Sequence, residues 1–564
     1  MPRPADEELI QHWRTQPAPL LPLLHAFHDR DGHLSEPALR AVAKALSIPM
    51  AELYGTVTFY HHFAREAGGH AAPRVCNGTV CRQNGADAVL AALSPQGAVP
   101  MPCSGRCDVP VPVLRGNETW AASGSCRGVQ DLVRAPDSPL PVPNPALARG
   151  DRLGGFEECL LADLRHRDQK SLAGYLSRGG FEGLRRARAM THAEVCTLVV
   201  DSKLAGRGGA GFPTGTKWNA VREAAGEPKS VVCNADEGEP GCFKDRLLMD
   251  HDPFALLEGM AIAGHACGAN RGFLYLRYEY PETARLLQHC IDEATRAGLL
   301  GDFTIHLRRG AGAYVCGEEG SLLNSLEGKH PFPRNKPPFP VTHGFEDRPT
   351  AVNNVETLCA VPRILCKGAE WYRGLGLNGL PGTKLVSLSG DVARPGNYEV
   401  PFGLPLRTLV HDWAGGPLPG RTVQAVTMAG LSGGFLGGAA LDEVTLDEHS
   451  IRSKGSFLGA GGIMVFDDTR DMVAIAAEAM SFFAHESCGK CFPCRIGTQR
   501  LAERLGGTAG PSDPAAWDRE VEDLGSVMKA TSACGLGIAA PLVSDSLRRW
   551  FPEQVARALA SRRG

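Results

Sequence analysis

The stretch Glu486-Ser-Cys488-Gly-Lys-Cys491-Phe-Pro-Cys494-Arg495 decides how the C-terminal part of the chain is built. A fourth cysteine, Cys534, follows forty residues after Cys494. Three closely spaced thiolates can cover one face of a cubic cluster, and a distant fourth can complete it. A C-x2-C-x2-C run alone also occurs in zinc sites. The fourth cysteine, in the sequence Cys534-Gly-Leu-Gly, favours a [4Fe–4S] cluster held by all four thiolates.

A second group of four cysteines lies near the N-terminus. It reads Cys76-Asn-Gly-Thr-Val-Cys81 and, after 21 further residues, Cys103-Ser-Gly-Arg-Cys107. Four thiolates on two strand-to-helix loops can hold a [2Fe–2S] rhombus, two per iron. Zinc and free thiols are the alternatives, but zinc sites favour a two-residue spacing. The other ten of the 18 cysteines are scattered, and we expect them to be small buried hydrophobes.

The composition is that of an ordinary globular protein. The chain has 564 residues, enough for three or four domains, with 43% apolar and 21% charged residues. A net charge of −3 does not support nucleic-acid binding. The sequence predicts neither a membrane span nor a signal peptide. We therefore expect a cytoplasmic protein whose cysteines are not disulfide-bonded.

A glycine-rich segment occupies residues 204–218. It reads Leu-Ala-Gly206-Arg207-Gly208-Gly209-Ala-Gly211-Phe212-Pro-Thr-Gly215-Thr-Lys217-Trp218. Closely spaced glycines let a backbone approach a phosphate, and Arg207 and Lys217 add positive charge. The spacing matches neither a Walker A motif nor the usual Rossmann fingerprint. The segment is either a different phosphate cradle or a flexible turn.

Two acidic segments follow. The first is Asn234-Ala-Asp236-Glu237-Gly-Glu239, directly after an apolar strand, and the second ends in Gly317-Glu318-Glu319. Neighbouring carboxylates raise each other's pKa when they are buried together. They lie either in a solvated loop or in a site where they accept hydrogen bonds from ribose or isoalloxazine N–H groups. Two further segments, Lys336-Pro-Pro-Phe339 and Val352-Asn353-Asn354, add a cation and amides.

Together these segments resemble the NADH-binding flavoprotein subunit of respiratory complex I, the 51-kDa type. The motifs are GRGGAGFPTGTKW, CNADEGEPG, GAGAYVCGEE, KPPFP, VNNVET and ESCGKCFPCR, from about residue 150 onwards. The N-terminal cysteines and the helices before them resemble the thioredoxin-like ferredoxin subunit, the 24-kDa type, over residues 5–125.

The resemblance implies four cofactors: FMN, NAD(H), a [2Fe–2S] and a [4Fe–4S] cluster. The implied flavin contacts are Gly206, Arg207, Gly208, Lys217, Asn234, Asp236, Glu237, Gly317, Glu318, Val352, Asn353, Asn354 and Thr357. NADH would stack over the flavin near Phe212, Lys217, Glu239, Glu319, Lys336 and Phe339. The family often has an aromatic residue on adenine where this chain has Ala220. No protein nucleophile is expected, and Glu318 and Glu319 would favour NADH over NADPH.

The periodicity and the resemblance predict an α/β multidomain fold. The expected domains are a helical leader plus thioredoxin-like [2Fe–2S] domain (1–134), a proline-rich linker (135–150), an α/β FMN/NADH-binding domain (151–382), a β-grasp-like insert (383–465) and a helical [4Fe–4S] domain (466–564).

The two parts are usually separate chains, and their fusion here indicates the kind of enzyme complex to which the chain belongs. It resembles diaphorase subunits of soluble NAD-dependent formate dehydrogenases and of NAD-reducing [NiFe] hydrogenases. The N-terminal cysteines are often partly missing in the hydrogenase chains, so their presence here favours the beta subunit of formate dehydrogenase. A hydrogenase or a complex I-like dehydrogenase remains an alternative. A structural zinc protein is disfavoured because flavin, nucleotide and cluster motifs occur together.

The chain has no molybdopterin or nickel motif of its own. We therefore expect a hetero-oligomer in which a catalytic alpha subunit carries molybdopterin, with Mo or W, and further iron–sulfur clusters.

Overall fold

The computed structural model describes residues 4–141, 157–164, 170–511 and 513–562. A helical leader comes first, with helices α1 (Pro4–Arg14), α2 (Leu20–Asp31), α3 (Glu36–Leu46) and α4 (Met50–Phe59). Gly32 ends α2 with φ of 73°, a left-handed conformation that glycine adopts without strain. Ser35 caps α3 by accepting a hydrogen bond from the Ala38 N–H. The chain therefore turns between α2 and α3.

The thioredoxin-like domain follows the leader. Its elements are strands β1 (Arg74–Cys76), β2 (Val99–Met101), β3 (Pro112–Arg115), β4 (Glu118–Ala121) and β5 (Val133–Arg134), and helices α5 (Thr79–Gln83) and α6 (Ala86–Leu93). The strand order is β2-β1-β3-β4-β5, with β1 and β2 parallel and the other pairs antiparallel. Cys76 and Cys81 lie on a strand-to-helix connection, as predicted. Cys103 and Cys107 lie between two strands, β2 and β3, where a strand-to-helix loop was expected.

The central domain is built on a four-stranded parallel sheet. Its strands are β6 (Ser230–Ala235), β7 (Arg271–Leu276), β8 (Thr304–Arg309) and β9 (Thr350–Asn354), in the order β8-β7-β6-β9. The helices are α7 (Leu161–Leu164), α8 (Leu172–Ser177), α9 (Glu182–Arg188), α10 (His192–Asp201), α11 (Thr214–Glu223), α12 (Lys244–His251), α13 (Pro253–Cys267), α14 (Pro281–Arg296), α15 (Glu319–Leu326), α16 (Val355–Lys367) and α17 (Ala369–Arg373). The inner strands β6 and β7 are almost entirely buried because both faces of the sheet are covered there.

The insert is a mixed five-stranded sheet. Its strands are β10 (Thr383–Gly390), β11 (Gly396–Pro401), β12 (Val423–Thr427), β13 (Phe435–Gly437) and β14 (Gly462–Asp467), with the short helix α18 (Glu448–Ser453). The order is β11-β10-β14-β12-β13, with β10 and β14 parallel and the other pairs antiparallel. A six-residue π-helix covers Thr408–Trp413.

The C-terminal region is helical, as predicted. Its helices are α19 (Met472–Glu486), α20 (Phe492–Gly506), α21 (Pro514–Thr531), α22 (Gly535–Ala539), α23 (Pro541–Trp550) and α24 (Pro552–Ser561). Asp471 caps α19 and Asp513 caps α21 through backbone N–H groups. In the described ranges no helix is long and apolar enough to cross a membrane.

The four parts pack closely against each other. Leader residues such as Leu24 and Phe27 share one apolar core with Phe273 and Tyr275 of the central sheet. Val80 and Cys103 of the thioredoxin-like domain belong to the core of the C-terminal helices. The predicted linker lies partly outside the described residues, at 142–150. Within its described part, Ser138 accepts a hydrogen bond from Arg246 at 2.7 Å, so this part is fixed to the central domain.

Candidate functional site

A cavity of about 390 Å³ opens at the carboxyl ends of β6 and β9. Parallel strands place the loops that follow them at one edge, which is where α/β sheets bind ligands. Eight of the predicted flavin and nucleotide contacts line this cavity: Gly208, Asn234, Asp236, Glu237, Glu239, Gly317, Glu318 and Asn354. The structure thus brings together the glycine-rich segment, both acidic segments and the second asparagine of the VNNVET motif.

The cavity wall suits a planar ligand with N–H donors. At Gly208 a Cβ atom would lie 3.1 Å from the Asn354 Cβ, so glycine keeps this wall open. Asn234 Nδ2 donates a hydrogen bond to the Gly317 carbonyl at 2.8 Å and thereby joins two walls. One carboxylate oxygen of Asp236 is buried without a partner in the protein. This free acceptor and the exposed backbone around it fit an isoalloxazine edge.

Burial raises the pKa of Asp236 to about 8, and Glu279 and Glu486 add to the increase. Near neutral pH this carboxyl group therefore holds a proton for much of the time. It can donate a hydrogen bond into the cavity as well as accept one.

Glu237 and Glu239 line the cavity but are bound to the protein. Glu237 accepts hydrogen bonds from the Asp245 N–H at 2.9 Å and from the Tyr280 hydroxyl at 3.1 Å. Glu239 accepts hydrogen bonds from the hydroxyls of Tyr314, at 2.6 Å, and Ser432, at 2.5 Å. These carboxylates shape the cavity wall more than they offer free acceptors.

A buried charge network lies beneath the cavity. Lys244 Nζ is 2.7 Å from both Asp245 and Glu356, and none of the three side chains is more than 4% exposed. Asp245 in turn accepts a hydrogen bond from Asn354 Nδ2 at 2.6 Å. Lys384, from β10 of the insert, is 3.9 Å from Glu356. The network fixes Asn354 at the cavity wall.

Six predicted flavin contacts have other partners in the protein. Arg207 is buried and donates to the Tyr372 hydroxyl at 2.6 Å, and its N–H donates to Thr357 Oγ1 at 2.9 Å. Asn353 accepts a hydrogen bond from the Trp218 indole at 2.8 Å. The Val352 carbonyl accepts one from Lys217 Nζ at 2.9 Å. Gly206 donates its N–H to the Phe212 carbonyl at 2.9 Å and closes the turn of the glycine-rich segment.

The residues predicted for nucleotide binding form a rim of charges and exposed rings. Lys336 Nζ lies 3.1 Å from Glu318 and 2.7 Å from Glu319, and Lys217 Nζ lies 3.7 Å from Glu319. The Phe212 and Phe339 side chains are 51% and 53% exposed. Exposed rings beside paired charges provide stacking surfaces at the entrance to a site.

Sequence reasoning missed the contribution of the insert. Ala429, Ser432, Phe457, Gly459 and Ala460 all line the cavity. Tyr314 was quoted only as part of a motif, yet its hydroxyl also lies 3.0 Å from that of Ser432. The glycines around Ser432, in Gly430-Leu-Ser-Gly-Gly434, were the available signal because such runs mark close backbone approach.

The four C-terminal cysteines line one small cavity together with Val315 and Lys490. Cys491 and Cys534 directly precede helices α20 and α22, so helix N-termini face the thiols. Burial raises the pKa of Cys494 to about 12. Lys490 Nζ donates to the Pro333 carbonyl at 2.6 Å and holds this loop against the nucleotide rim. Four converging thiols fit a cubic cluster.

The four N-terminal cysteines are all buried. The Cys103 and Cys107 sulfurs are 3.5 Å apart, and the Ser104 N–H donates to Cys76 Sγ at 3.4 Å. A hydrogen bond with Cys103 and burial raise the pKa of Cys107 well above its ordinary value. Metal binding would displace these thiol protons. Of the ten remaining cysteines, nine are buried and Cys366 is partly exposed, as expected.

A cluster of histidines with Asp29 in the leader also has the donor set of a metal site. However, Asp29 pairs with Arg309 at 2.9 Å, and the Ala64 N–H donates to His28 Nε2 at 3.0 Å. Burial lowers the pKa of His62 well below its ordinary value, so this imidazole is neutral. His28 Nδ1 and both ring nitrogens of His62 are buried without a partner in the protein. Burial and the neighbouring Arg74 and Arg309 keep these histidines neutral and disfavour a further cation among them.

Comparison with known proteins agrees with this geometry. Residues 6–110 match the thioredoxin-like [2Fe-2S] ferredoxin family, residues 199–363 match the Nuo51 FMN-binding domain, and residues 474–558 match the NADH-ubiquinone oxidoreductase-F iron-sulfur binding region. The F 2 subunit of the NADH-quinone oxidoreductase of Rhizobium meliloti is 44% identical over 72% of this chain and 99% of its own length. The chain belongs to the complex I flavoprotein family, with the 24-kDa-type and 51-kDa-type parts fused.

Two further relatives share the fused architecture of this flavoprotein. The NAD-reducing hydrogenase HoxS subunit alpha of Cupriavidus necator is 32% identical over 99% of this chain and 94% of its own length. A chain of a crystal structure of NAD+-reducing [NiFe]-hydrogenase in the H2-reduced state superimposes with a TM-score of 0.77, at 32% identity, over 95% of this chain and 92% of that one. The fold class and the FMN, [2Fe–2S], [4Fe–4S] and NAD(H) predictions are confirmed. This flavoprotein is an NAD-dependent flavin and iron–sulfur oxidoreductase, a diaphorase subunit.

Proposed function

We propose that this diaphorase is the beta subunit of an NAD-dependent formate dehydrogenase, which converts formate and NAD+ to CO2 and NADH. The observation that carries the proposal is the complete N-terminal cysteine set. Cys76, Cys81, Cys103 and Cys107 are all buried, and their sulfurs lie close together. The resemblance to hydrogenase diaphorases implies a set that is often incomplete, so the complete set here supports a formate dehydrogenase.

In this proposal NAD(H) binds at the rim and FMN in the cavity. Phe212 and Phe339 offer stacking surfaces, and Lys217 and Lys336 offer positive charge to phosphate. When bound, FMN supplies the exchange between hydride transfer and single-electron transfer. The chain's own residues bind and orient: Asn354 and Gly208 shape the wall, and Asp236 holds a proton beside the cavity. No protein nucleophile is required.

The partner is a catalytic alpha subunit that carries molybdopterin and further iron–sulfur clusters. An exposed apolar groove beside the [4Fe–4S] cysteines supports such a partner. It is lined by Phe492, Ile496 and Val527, of which Phe492 is 68% exposed and directly follows Cys491. Apolar surface of this kind marks a protein interface, and here it lies where electrons leave or enter the chain.

A second candidate is the diaphorase subunit of an NAD-reducing [NiFe] hydrogenase. The observation that favours it is the similarity to HoxS subunit alpha, which extends over 99% of this chain. The two candidates differ in the partner, not in the cofactors of this chain.

Purification of the native complex separates the candidates. We expect NAD+ reduction with formate, and molybdenum or tungsten in the metal analysis. Activity with hydrogen but none with formate, together with nickel, would overturn the formate proposal and leave the diaphorase assignment intact. The isolated chain should show flavin and iron–sulfur absorption and reduce an artificial acceptor with NADH. If the isolated chain shows no such absorption, the redox function itself is wrong.

A further inference from the structure

Arg277 is a buried cation between the two redox sites of the chain. It directly follows β7, and its side chain is 4% exposed. Its Nη2 atom donates to the Cys103 carbonyl at 2.7 Å, and its Nη1 atom donates to the Glu237 carbonyl. One guanidinium group therefore touches the backbone of a [2Fe–2S] cysteine and of a residue in the flavin cavity wall.

Glu279 is the counter-charge of this arginine. Its two carboxylate oxygens accept hydrogen bonds from Arg277 Nε at 3.0 Å and from Nη2 at 2.8 Å. Glu279 is 7% exposed, so water screens neither member of the pair. Glu279 also lines a small cavity together with Cys103 and Asp236. This small cavity lies between the flavin cavity and the N-terminal cysteines.

The cysteine loop that Arg277 contacts is held firmly against the central domain. Arg246 donates to the Gly105 carbonyl at 3.1 Å and to Asp108 at 2.7 Å, so a second buried arginine holds the same cysteine loop. At Gly105 a Cβ atom would lie 2.0 Å from the Tyr280 hydroxyl, which requires glycine there. The cysteine loop and the central domain therefore form a fixed joint.

We propose that Arg277 and Glu279 set the reduction potential of the [2Fe–2S] cluster from within the flavin-binding domain. Reduction adds a negative charge to the cluster, and net charge near a cluster is one determinant of its potential. An arginine keeps its positive charge at every accessible pH and, in a buried site, acts strongly over a short distance. The charge of Arg277 stabilises the reduced cluster, and that of Glu279 opposes this. The inference rests on the [2Fe–2S] cluster of the proposed function, but not on the identity of the partner.

Redox titration of the native complex, followed by the EPR signal of the [2Fe–2S] cluster, tests the pair. Arg277→Gln should shift the midpoint potential of this cluster to a more negative value, and Glu279→Gln should shift it to a more positive one. The midpoint potential of the double variant should lie between those of the two single variants and close to that of wild type, because neither charge is left uncompensated. The [4Fe–4S] potential should stay unchanged in all three.

Two control variants separate charge from packing. Arg277→Lys keeps the positive charge but loses the several N–H donors of the guanidinium group. The midpoint potential of the [2Fe–2S] cluster in this variant should stay close to that of wild type. Arg308→Gln removes another buried arginine of the central domain, which binds the Pro17 carbonyl of the leader, and should not shift the potential.

Shifts of the same sign in Arg277→Gln and Glu279→Gln would overturn the proposal, because a purely structural effect does not depend on the sign of the removed charge. Unchanged potentials with an intact cluster signal would also overturn it and leave the proposed function standing. If the wild-type complex shows no [2Fe–2S] signal, the cluster assignment is wrong and the inference fails with it.

Discussion

Lys244 Nζ lies 2.7 Å from Glu356 Oε2 beneath the flavin cavity, and both side chains are almost completely buried. Glu356 also accepts a hydrogen bond from the Leu385 N–H at 2.8 Å, so the pair joins the central domain to the insert. A buried charge that loses its partner destabilises a protein far more than an exposed one. Among the residues of the site, loss of this pair should therefore lower the free energy of unfolding the most.

Lys244→Met should strongly destabilise the central domain. It removes the cation of the buried Asp245 and the nearer of the two lysines beside Glu356, and breaking such a buried pair costs about 3–5 kcal/mol. Urea unfolding followed by flavin fluorescence measures the change. The exposed pair Lys454–Glu443 provides the control: Lys454→Met should cost at most about 1 kcal/mol. Equal losses in the two variants would contradict the role of the network.

Glu319→Gln should weaken the preference for NADH over NADPH. The Glu319 carboxylate stands at the nucleotide rim beside Lys336 and Lys217, where it would repel an extra phosphate. One charge at a partly exposed site is worth about 1 kcal/mol, so KM for NADPH should fall roughly fivefold. Steady-state kinetics with both nucleotides measures this, with Glu223→Gln on the surface as control. If neither KM changes, Glu319 has no such role.

Asp236 should make the stability of the apoprotein depend on pH. Its pKa is raised to about 8 by burial, against an ordinary value of 3.8. Between these values the unfolded chain has lost the proton that the folded chain keeps, so stability falls as pH rises from 4 to 8. Asp236→Asn should flatten this slope, with a gain of a few kcal/mol at the upper end of this range and none at the lower end. Thermal melts across this range measure the difference, and a slope unchanged in the variant would contradict it.

Cys534→Ala should remove the [4Fe–4S] cluster and leave the [2Fe–2S] cluster. Cys534 lies in the same small cavity as Cys488, Cys491 and Cys494, and far along the chain from the other cysteine set. Iron analysis should show a loss of four iron atoms per chain, and the EPR signal of the two-iron cluster should persist. Cys290→Ala, at a buried cysteine on α14, is the matched control and should keep all iron. Full iron content in Cys534→Ala would refute the assigned ligand.

Phe492→Asp should weaken binding of the partner subunit without affecting diaphorase activity of the isolated chain. The ring is exposed beside the [4Fe–4S] cysteines, and a buried carboxylate at an interface is costly. Co-purification of the two subunits measures the loss, expected to be at least about tenfold in affinity if the ring is an anchor. Leu418→Asp, at another exposed residue on the insert, should leave co-purification unchanged. Normal assembly of Phe492→Asp would place the partner elsewhere.

The sequence predicted the fold class and which cysteines lie together, because both are visible in motifs and spacing. Spacing alone identified the two cysteine sets, and apolar periodicity identified strands such as Ser230–Ala235. The roles of Arg207 and Asn353 could not be predicted in this way. Their side chains turn to Tyr372 and Trp218, and this direction depends on packing between distant segments.

The insert shows the same limit. Its residues were predicted as a separate β-rich unit, but Ser432 and Phe457 contribute to the flavin cavity. The periodicity of a sequence does not show which loop of one domain contacts another domain. Likewise, the ion pair between Lys384 and Glu356 joins residues whose sequence contexts gave no indication of a contact.

The shared core of the leader and the central sheet has a consequence for synthesis of the chain. Leu24 and Phe27 emerge from the ribosome early, but their packing partners Phe273 and Tyr275 follow about 250 residues later. At ordinary translation speeds the apolar face of the leader waits for roughly 12–50 seconds. During this interval the nascent chain exposes an apolar surface that is prone to aggregation. Fusion thus secures equal amounts of the two parts, but it leaves the apolar face of the first part uncovered until the second has been translated.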